Sequence, residues 1–463
     1  MSWPGYFVGR YILALASLYE GLDSKSDKEE VLKVLKEIVS QRKDKINEHH
    51  FFGEPFNKLL INEQQMSGNS WYIRSLVAYY KITKDDEILN EIKDIIDNFL
   101  LALAPYYRKY PMEKERDNGA VDGHLENTPI NGFLLSSDIG CAYILLDGYV
   151  DAYSITMDDR LKESIENIIE IFKKIDYVKL RFQTHATLTC SRAILRFYEL
   201  TKNQKYLDLV AKIFDDYQKY GMTLDYQNIN WFNKLDSWTE PCCVVDSFIL
   251  AHDLYLLTKD PKYLKLFGRI TTNGVRSAQR DNGGAGCTTI VSSKESVLKC
   301  FMYEAWFCCS MRFAEGLKYL SASRFIKTDK NSFLMMYPDK YFGDGIDIDV
   351  DYYYKKKINV NSTKDFDLSI YLPDGVSIKT SNVKYTINQN IIEFKVQKGK
   401  EVSIECELHV NKENDVYYCA DMLLTQKEKH IDDIIMIDGK KYSYVLSSAD
   451  YCREDLEEIE QYL

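Results

Sequence analysis

Two short runs hold the residues best able to do chemistry: Thr239-Glu240-Pro241-Cys242-Cys243 and Trp306-Phe307-Cys308-Cys309-Ser310. A free cysteine is usually a small buried hydrophobe, so either pair alone carries little. Together Glu240, Cys242, Cys308 and Cys309 offer three thiolates and one carboxylate, a set that suits tetrahedral zinc. No common zinc-finger spacing relates them, and burial of small residues at two helix starts is the competing reading. Cys243 competes with Cys242 as a ligand. Cys141, Cys190, Cys287, Cys300, Cys406, Cys419 and Cys452 read as core or surface thiols. Pro241 suits the first position of a helix through 244–257, and Cys308-Cys309 precede another from 311. Helix N-termini favour anions and lower thiol pKa, so both positions suit thiolates.

The elements that would bring these runs together are visible as a repeated corner. Tyr80-Lys81-Ile82-Thr83-Lys84-Asp85, Tyr153-Ser154-Ile155-Thr156-Met157-Asp158, Tyr198-Glu199-Leu200-Thr201-Lys202-Asn203 and Tyr255-Leu256-Leu257-Thr258-Lys259-Asp260 share one pattern. An apolar helix ends, a polar turn with Asp or Asn follows, and an amphipathic helix begins. Repeated use of one corner marks an array of helix pairs. Helices before the corner are apolar nearly all round and those after it carry a charged face. That contrast predicts an inner and an outer ring, close to six pairs, in an (α/α)6 toroid spanning residues 1–322. The corners are short, whereas the returns (49–69, 108–131, 176–185, 221–242 and 274–307) are long. These returns carry His49, His50, His124, Glu126, His185, Trp231, Trp238, Arg276 and Arg280, all expected at one end, where a site belongs. His185 alone on an apolar segment is more often a hydrogen-bonded core histidine.

From residue 323 the period changes to two. Segments 347–354, 366–371, 376–379, 391–396 and 402–409 alternate between turns of Asn, Asp, Gly and Lys, predicting an antiparallel β-sandwich domain over 323–463. Residues 450–463 read as a short acidic helix or tail. The chain has 463 residues, 45% hydrophobic and 13% aromatic, with a net charge of −11. That balance argues against nucleic-acid and anionic-membrane partners, which reward basic patches. No secretory leader and no run of bilayer length is apparent, so a cytoplasmic protein with its eleven cysteines as thiols is expected. Oligomeric state is left open between monomer and homodimer.

Glu240-Pro241-Cys242 leading into an apolar helix, followed by Phe307-Cys308-Cys309, resembles the metal-binding pattern of glycoside hydrolase family 127, the β-L-arabinofuranosidases and relatives. Gln183-Thr184-His185-Ala186-Thr187, with the corner Tyr198-Glu199-Leu200-Thr201 downstream, is similar to that family's corresponding segments. The resemblance covers most of the chain, the β region included. It implies zinc held by Glu240, Cys242, Cys308 and Cys309, with Cys308 as nucleophile and His185 touching the sugar. It implies a retaining exo-glycosidase releasing a terminal β-L-arabinofuranosyl or related sugar from an oligosaccharide. His124, Glu126 and Trp231, from the long returns, are further expected substrate contacts. The family's acid/base Glu precedes its first metal ligand, but the stretch Gly221-Met222-Thr223-Leu224-Asp225-Tyr226-Gln227 has none. Asp225 is the nearest carboxylate and is taken as the acid/base, with Asp236, Glu126 and Glu304 as alternatives. The prolines usual after the cysteine pair are also missing. Two rival functions are a carbohydrate-binding protein with a structural zinc, and a toroid sugar epimerase or lyase.

Overall fold

In the computed structural model, residues 3–113, 124–235, 237–279, 283–287, 303–304, 306–413, 416–425, 435–437 and 440–444 are described. Among the described residues, eleven helices of nine residues or more build the first part: α1 Tyr6–Gly21, α2 Lys25–Gln41, α3 Glu63–Thr83, α4 Asp86–Ile95, α5 Leu145–Thr156 and α6 Asp159–Phe172. They continue with α7 Thr184–Thr201, α8 Gln204–Tyr220, α9 Pro241–Thr258, α10 Pro261–Arg269 and α11 Met311–Ser323. Helices α4 and α10 run on through π turns.

The predicted corners form by one mechanism. The residue after each inner helix takes a left-handed conformation: Lys84 (φ 57°), Met157 (51°), Lys202 (56°) and Lys259 (60°). Its N–H closes on the carbonyl of Tyr80, Tyr153, Tyr198 or Tyr255, an αL-type helix cap. The next residue, Asp85, Asp158, Asn203 or Asp260, caps the following helix by accepting a backbone N–H two residues on. In three corners the lysine also lies over the tyrosine ring, at 5.4–5.8 Å.

The inner ring closes on itself. Helix α1 packs on α3 and α11, α3 on α5, α5 on α7, α7 on α9, and α9 on α11. Among the described residues five helices, α2, α4, α6, α8 and α10, stand outside them. The last inner helix has no outer partner among the described residues: α11 ends at Ser323 and the chain enters the strand Ile326–Asp329. Helix α9 is long and apolar enough to cross a bilayer, contrary to expectation, but 78% of it is buried within the ring.

The centre of the ring is ionic, a feature with no counterpart in the sequence pattern. Every inner helix sends a charged side chain inward: Arg10, Arg74, Asp147, Arg192, Asp246, and Arg312 with Glu315, all buried. Arg74 meets Asp147 at 3.0 Å and Glu315 at 3.1 Å, and Arg192 meets Asp246 at 2.9 Å and Glu315 at 2.6 Å. Arg312 pairs with Asp246 and Glu315, and Arg196 with Asp147. Burial drives the Asp147 carboxyl up, but Arg196, Arg74 and Arg192 together hold it below its usual range.

The β region forms the expected sandwich. One sheet orders Tyr385–Asn388, Ile391–Val396, Phe366–Tyr371, Ser332–Met335 and Ile326–Asp329; the other orders Val376–Ser381, Val402–Leu408, Lys357–Ser362, Ile346–Asp351 and Lys340–Gly343. Between them lies an apolar core that includes Ile348, Val360, Leu368, Ile370, Ile392 and Ile404. Pairing is antiparallel except where Phe366–Tyr371 runs parallel to Ser332–Met335. A third sheet, begun by the hairpin Val410–Glu413 and Val416–Cys419, was not expected. It docks on the toroid through Arg269–Glu413 (2.7 Å), and Asn273 exchanges hydrogen bonds with the backbone at Asp421 and Leu423. The acidic segment 450–463 lies outside the described residues.

Candidate metal centre

The long returns meet at one end of the ring. Ile61 pairs with Phe133, the Gln183 N–H donates to the Ile139 carbonyl, and Gln183 pairs with Trp231, so consecutive returns are stitched edge to edge. Glu240 is the N-cap of α9, Pro241 opens that helix, and Cys242 follows in its first turn. Cys308 and Cys309 lie in a π turn, Trp306–Ser310, that runs into α11. Because α9 and α11 are ring neighbours starting at the same end, their first turns converge.

One oxygen or sulfur from each of Glu240, Cys242, Cys308 and Cys309 lies within 4.8 Å of the others, and all four residues are buried. Cys242 Sγ is 3.3 Å from Cys308 Sγ and 3.7 Å from Cys309 Sγ, and Cys308 Sγ is 3.9 Å from Glu240 Oε1. Zinc–sulfur bonds of about 2.3 Å give tetrahedral S···S edges of about 3.8 Å, so the donors fit a tetrahedral ion with small adjustment. The cluster can hold a metal ion. Cys243, one residue on, turns the other way and hydrogen-bonds with Thr184 and Tyr217, as the 100° step of a helix requires.

A second layer holds the cluster. The Glu240 N–H donates to Asn228 Oδ1 at 2.6 Å. The Gln183 amide, at the N-cap of α7, donates to Asp138 Oδ1 (3.1 Å) and Glu240 Oε2 (3.4 Å). Tyr6 Oη is 2.8 Å from Cys308 Sγ, and Arg10 donates to Cys242 Sγ at 3.1 Å. Buried Cys287, read from sequence as a bystander, hydrogen-bonds with Cys309. Hydrogen bonds from Cys242 and Cys309, then Arg10 and Tyr6, hold the Cys308 thiol well below its usual value against the effect of burial. Burial pushes Cys242 and Cys309 up.

The other expected site residues fall in different places. His185 is buried beside the cluster, with Nε2 3.0 Å from Arg10 and Nδ1 2.7 Å from Asp246. His124 and Glu126 are exposed on the return over 124–136, tied down by their backbone N–H groups to Ser137 Oγ and the Leu135 carbonyl. Trp231 is wholly buried, gives its indole N–H to the Ser137 carbonyl and packs edge-on against Trp238, so it walls the site end from within. Asp225 is also wholly buried, its carboxylate accepting from Thr223 and Gln227 inside its own turn. Burial raises its pKa against those hydrogen bonds. Asp236 and the side chain of Glu304 lie outside the described residues. Sequence reasoning missed Tyr6, Arg10, Trp71 and Asp138. Only Arg10, a charge inside the apolar run of the first helix, left a local signal.

In backbone course the chain superposes on a family 127 β-L-arabinofuranosidase from Geobacillus stearothermophilus T6, with a TM-score of 0.62 at 12% identity. The match covers 90% of this chain and 76% of that one. A second family 127 β-arabinofuranosidase gives 0.64 at 13% identity, over 92% and 76% of the two chains. A structure described as a glycoside hydrolase gives 0.61 at 12%, over 94% and 82%. The chain has their fold. No family model matches the sequence, and no curated protein matches it.

Proposed function

We propose that the protein is a zinc-dependent retaining exo-glycosidase that releases a terminal β-L-arabinofuranosyl or related sugar from an oligosaccharide. The observation that carries this is the buried Glu240/Cys242/Cys308/Cys309 cluster at the loop-rich end of a toroid shared with family 127 enzymes. Local motif and backbone course are independent supports, since one is read from a few residues and the other from the whole chain.

In this reading Glu240, Cys242, Cys308 and Cys309 would hold the ion, and a bound divalent metal would supply the charge that keeps the thiols ionised at neutral pH. Cys308 is the attacking group: it is 7% exposed, whereas Cys242 and Cys309 are 0%. Its thiolate forms a C–S bond at the anomeric carbon as the glycosidic C–O bond breaks, and the departing oxygen takes a proton. Water then attacks the same carbon, giving its proton to the carboxylate that protonated the leaving oxygen; the C–S bond breaks, the thiolate is restored, and the sugar leaves with net retention. Asp225 is the proposed proton donor by its place in the chain. Asp138 is the carboxylate tied to Glu240 through Gln183.

Metal analysis of protein purified in reducing buffer should find one zinc per chain, and its absence would sink the reading. Cys308→Ala should lose about 10³-fold or more in turnover of an aryl β-L-arabinofuranoside. The rival, a carbohydrate-binding protein with a structural zinc, is favoured by the complete burial of Asp225. It expects an arabinofuranosyl disaccharide to bind while neither it nor the aryl glycoside is hydrolysed.

A further inference from the structure

Arg10 belongs to α1, on no motif that the zinc set uses, yet it touches more of the site than any expected residue. It is 2% exposed. Its guanidinium lies over the rings of Trp71, at 4.0 Å, and Tyr6, at 4.3 Å. One edge donates to Cys242 Sγ (3.1 Å) and to the Cys308 carbonyl (3.3 Å), spanning both segments that build the cluster. The other reaches His185 Nε2 at 3.0 Å.

Two consequences follow from the donor-only character of arginine. First, His185 Nε2 must accept, so the ring proton sits on Nδ1 and is donated to Asp246, 2.7 Å away. Thr189 and Arg192 hold that carboxylate in turn. Trp71 stacks on the His185 ring at 5.9 Å and 16°. The tautomer of His185 is thereby fixed from α1, and its plane by Trp71 of α3. Second, the two facing sulfurs become unlike. Cys242 Sγ receives a charged N–H and is drawn toward ligand duty, while the guanidinium reaches Cys308 only at its carbonyl and the Cys308 sulfur meets the Tyr6 hydroxyl instead. Three thiolates and a carboxylate around a divalent ion leave two negative charges in a buried place, and the guanidinium offsets one.

We propose that Arg10 is a positioning residue: it marks Cys242 as a ligand, leaves Cys308 as the reactive sulfur, and fixes His185 against Asp246. This rests on the metal-thiolate reading of the cluster, and the experiment separates the two. The probe is the protein loaded with cobalt(II), whose thiolate-to-cobalt charge-transfer absorption reports how electron-rich the ligand sulfurs are. Removing an N–H from Cys242 in Arg10→Ala should move that absorption to longer wavelength. It should also lower kcat on an aryl β-L-arabinofuranoside about tenfold or more with a smaller change in KM. Methylguanidinium, filling the vacated space, should restore part of both, which a purely structural loss would not permit. Arg10→Lys, which keeps the charge without the two-edged fork, serves if the alanine variant does not fold, and should shift the band less. A band unmoved in a folded variant overturns the role of Arg10. Wild-type protein lacking cobalt–thiolate absorption overturns the metal reading itself.

Discussion

A cysteine's role in this chain depends on one helical step. Cys242 and Cys243 are neighbours, yet Cys242 faces two sulfurs and Cys243 faces Thr184 and Tyr217. Cys243→Ser should therefore keep one zinc per chain, while Cys242→Ser should lose most of it, as metal analysis after gel filtration will read. The proton donor is a question at the same scale. Asp138→Asn should fold, because the amide oxygen still accepts from Gln183; Asp225→Asn keeps one of its two acceptors, so its folding is checked by circular dichroism before activity is read. The variant that removes the acid should lose about 10²-fold or more on a disaccharide and far less on an aryl glycoside with a good leaving group. Equal losses on both substrates would make that residue structural.

At the scale of elements, the corner is the unit the sequence repeats. Its cost is a non-glycine residue at positive φ, offset by the capping side chain that follows. Asp158→Ala removes such a cap, whose oxygen receives the Arg160 N–H at 2.9 Å, and should lower stability by about 1 kcal/mol in denaturant titrations. Lys202→Gly relieves the backbone at φ 56° and should be neutral to mildly stabilising, by up to about 1 kcal/mol. Four copies of the corner made the inner and outer helices legible. The count was less so, because among the described residues a strand, not a sixth outer helix, follows α11. A helix tells its length and apolar face locally, but a ring closes only through contacts between distant helices.

Across the whole molecule, the third sheet couples the β region to the toroid through Asp421. This carboxyl is 2% exposed, 3.1 Å from Tyr371 Oη and 3.9 Å from Arg269. Burial pushes its pKa up to about 7, against the opposing pull of Arg269 and Tyr371. Here the folded state holds its proton more tightly than the unfolded chain, which titrates near 4. The stability this gives is full at acid pH and is lost as pH rises from about 4 through about 7. The melting temperature should therefore fall across that window, and Asp421→Asn should flatten the fall. An unchanged slope in a folded variant would assign the dependence elsewhere.

The sequence by itself determined the helix pairs, the switch to period two, and the four ligand candidates, because each is written in neighbouring residues. Capping geometry, side-chain alternation and donor chemistry act over a few positions and need no fold to be read. Tertiary structure alone decided how Cys242 meets Cys308, which neighbour Cys243 faces, and that Asp225 and Trp231 lie buried. It also decided that charges scattered singly along six apolar helices meet as one ionic core. Those outcomes depend on which helices become neighbours when the ring closes, and long-range packing sets that rather than any local pattern. Arg10 joins both kinds: its presence in an apolar helix is plain in the sequence, and its partners appear only across the closed ring.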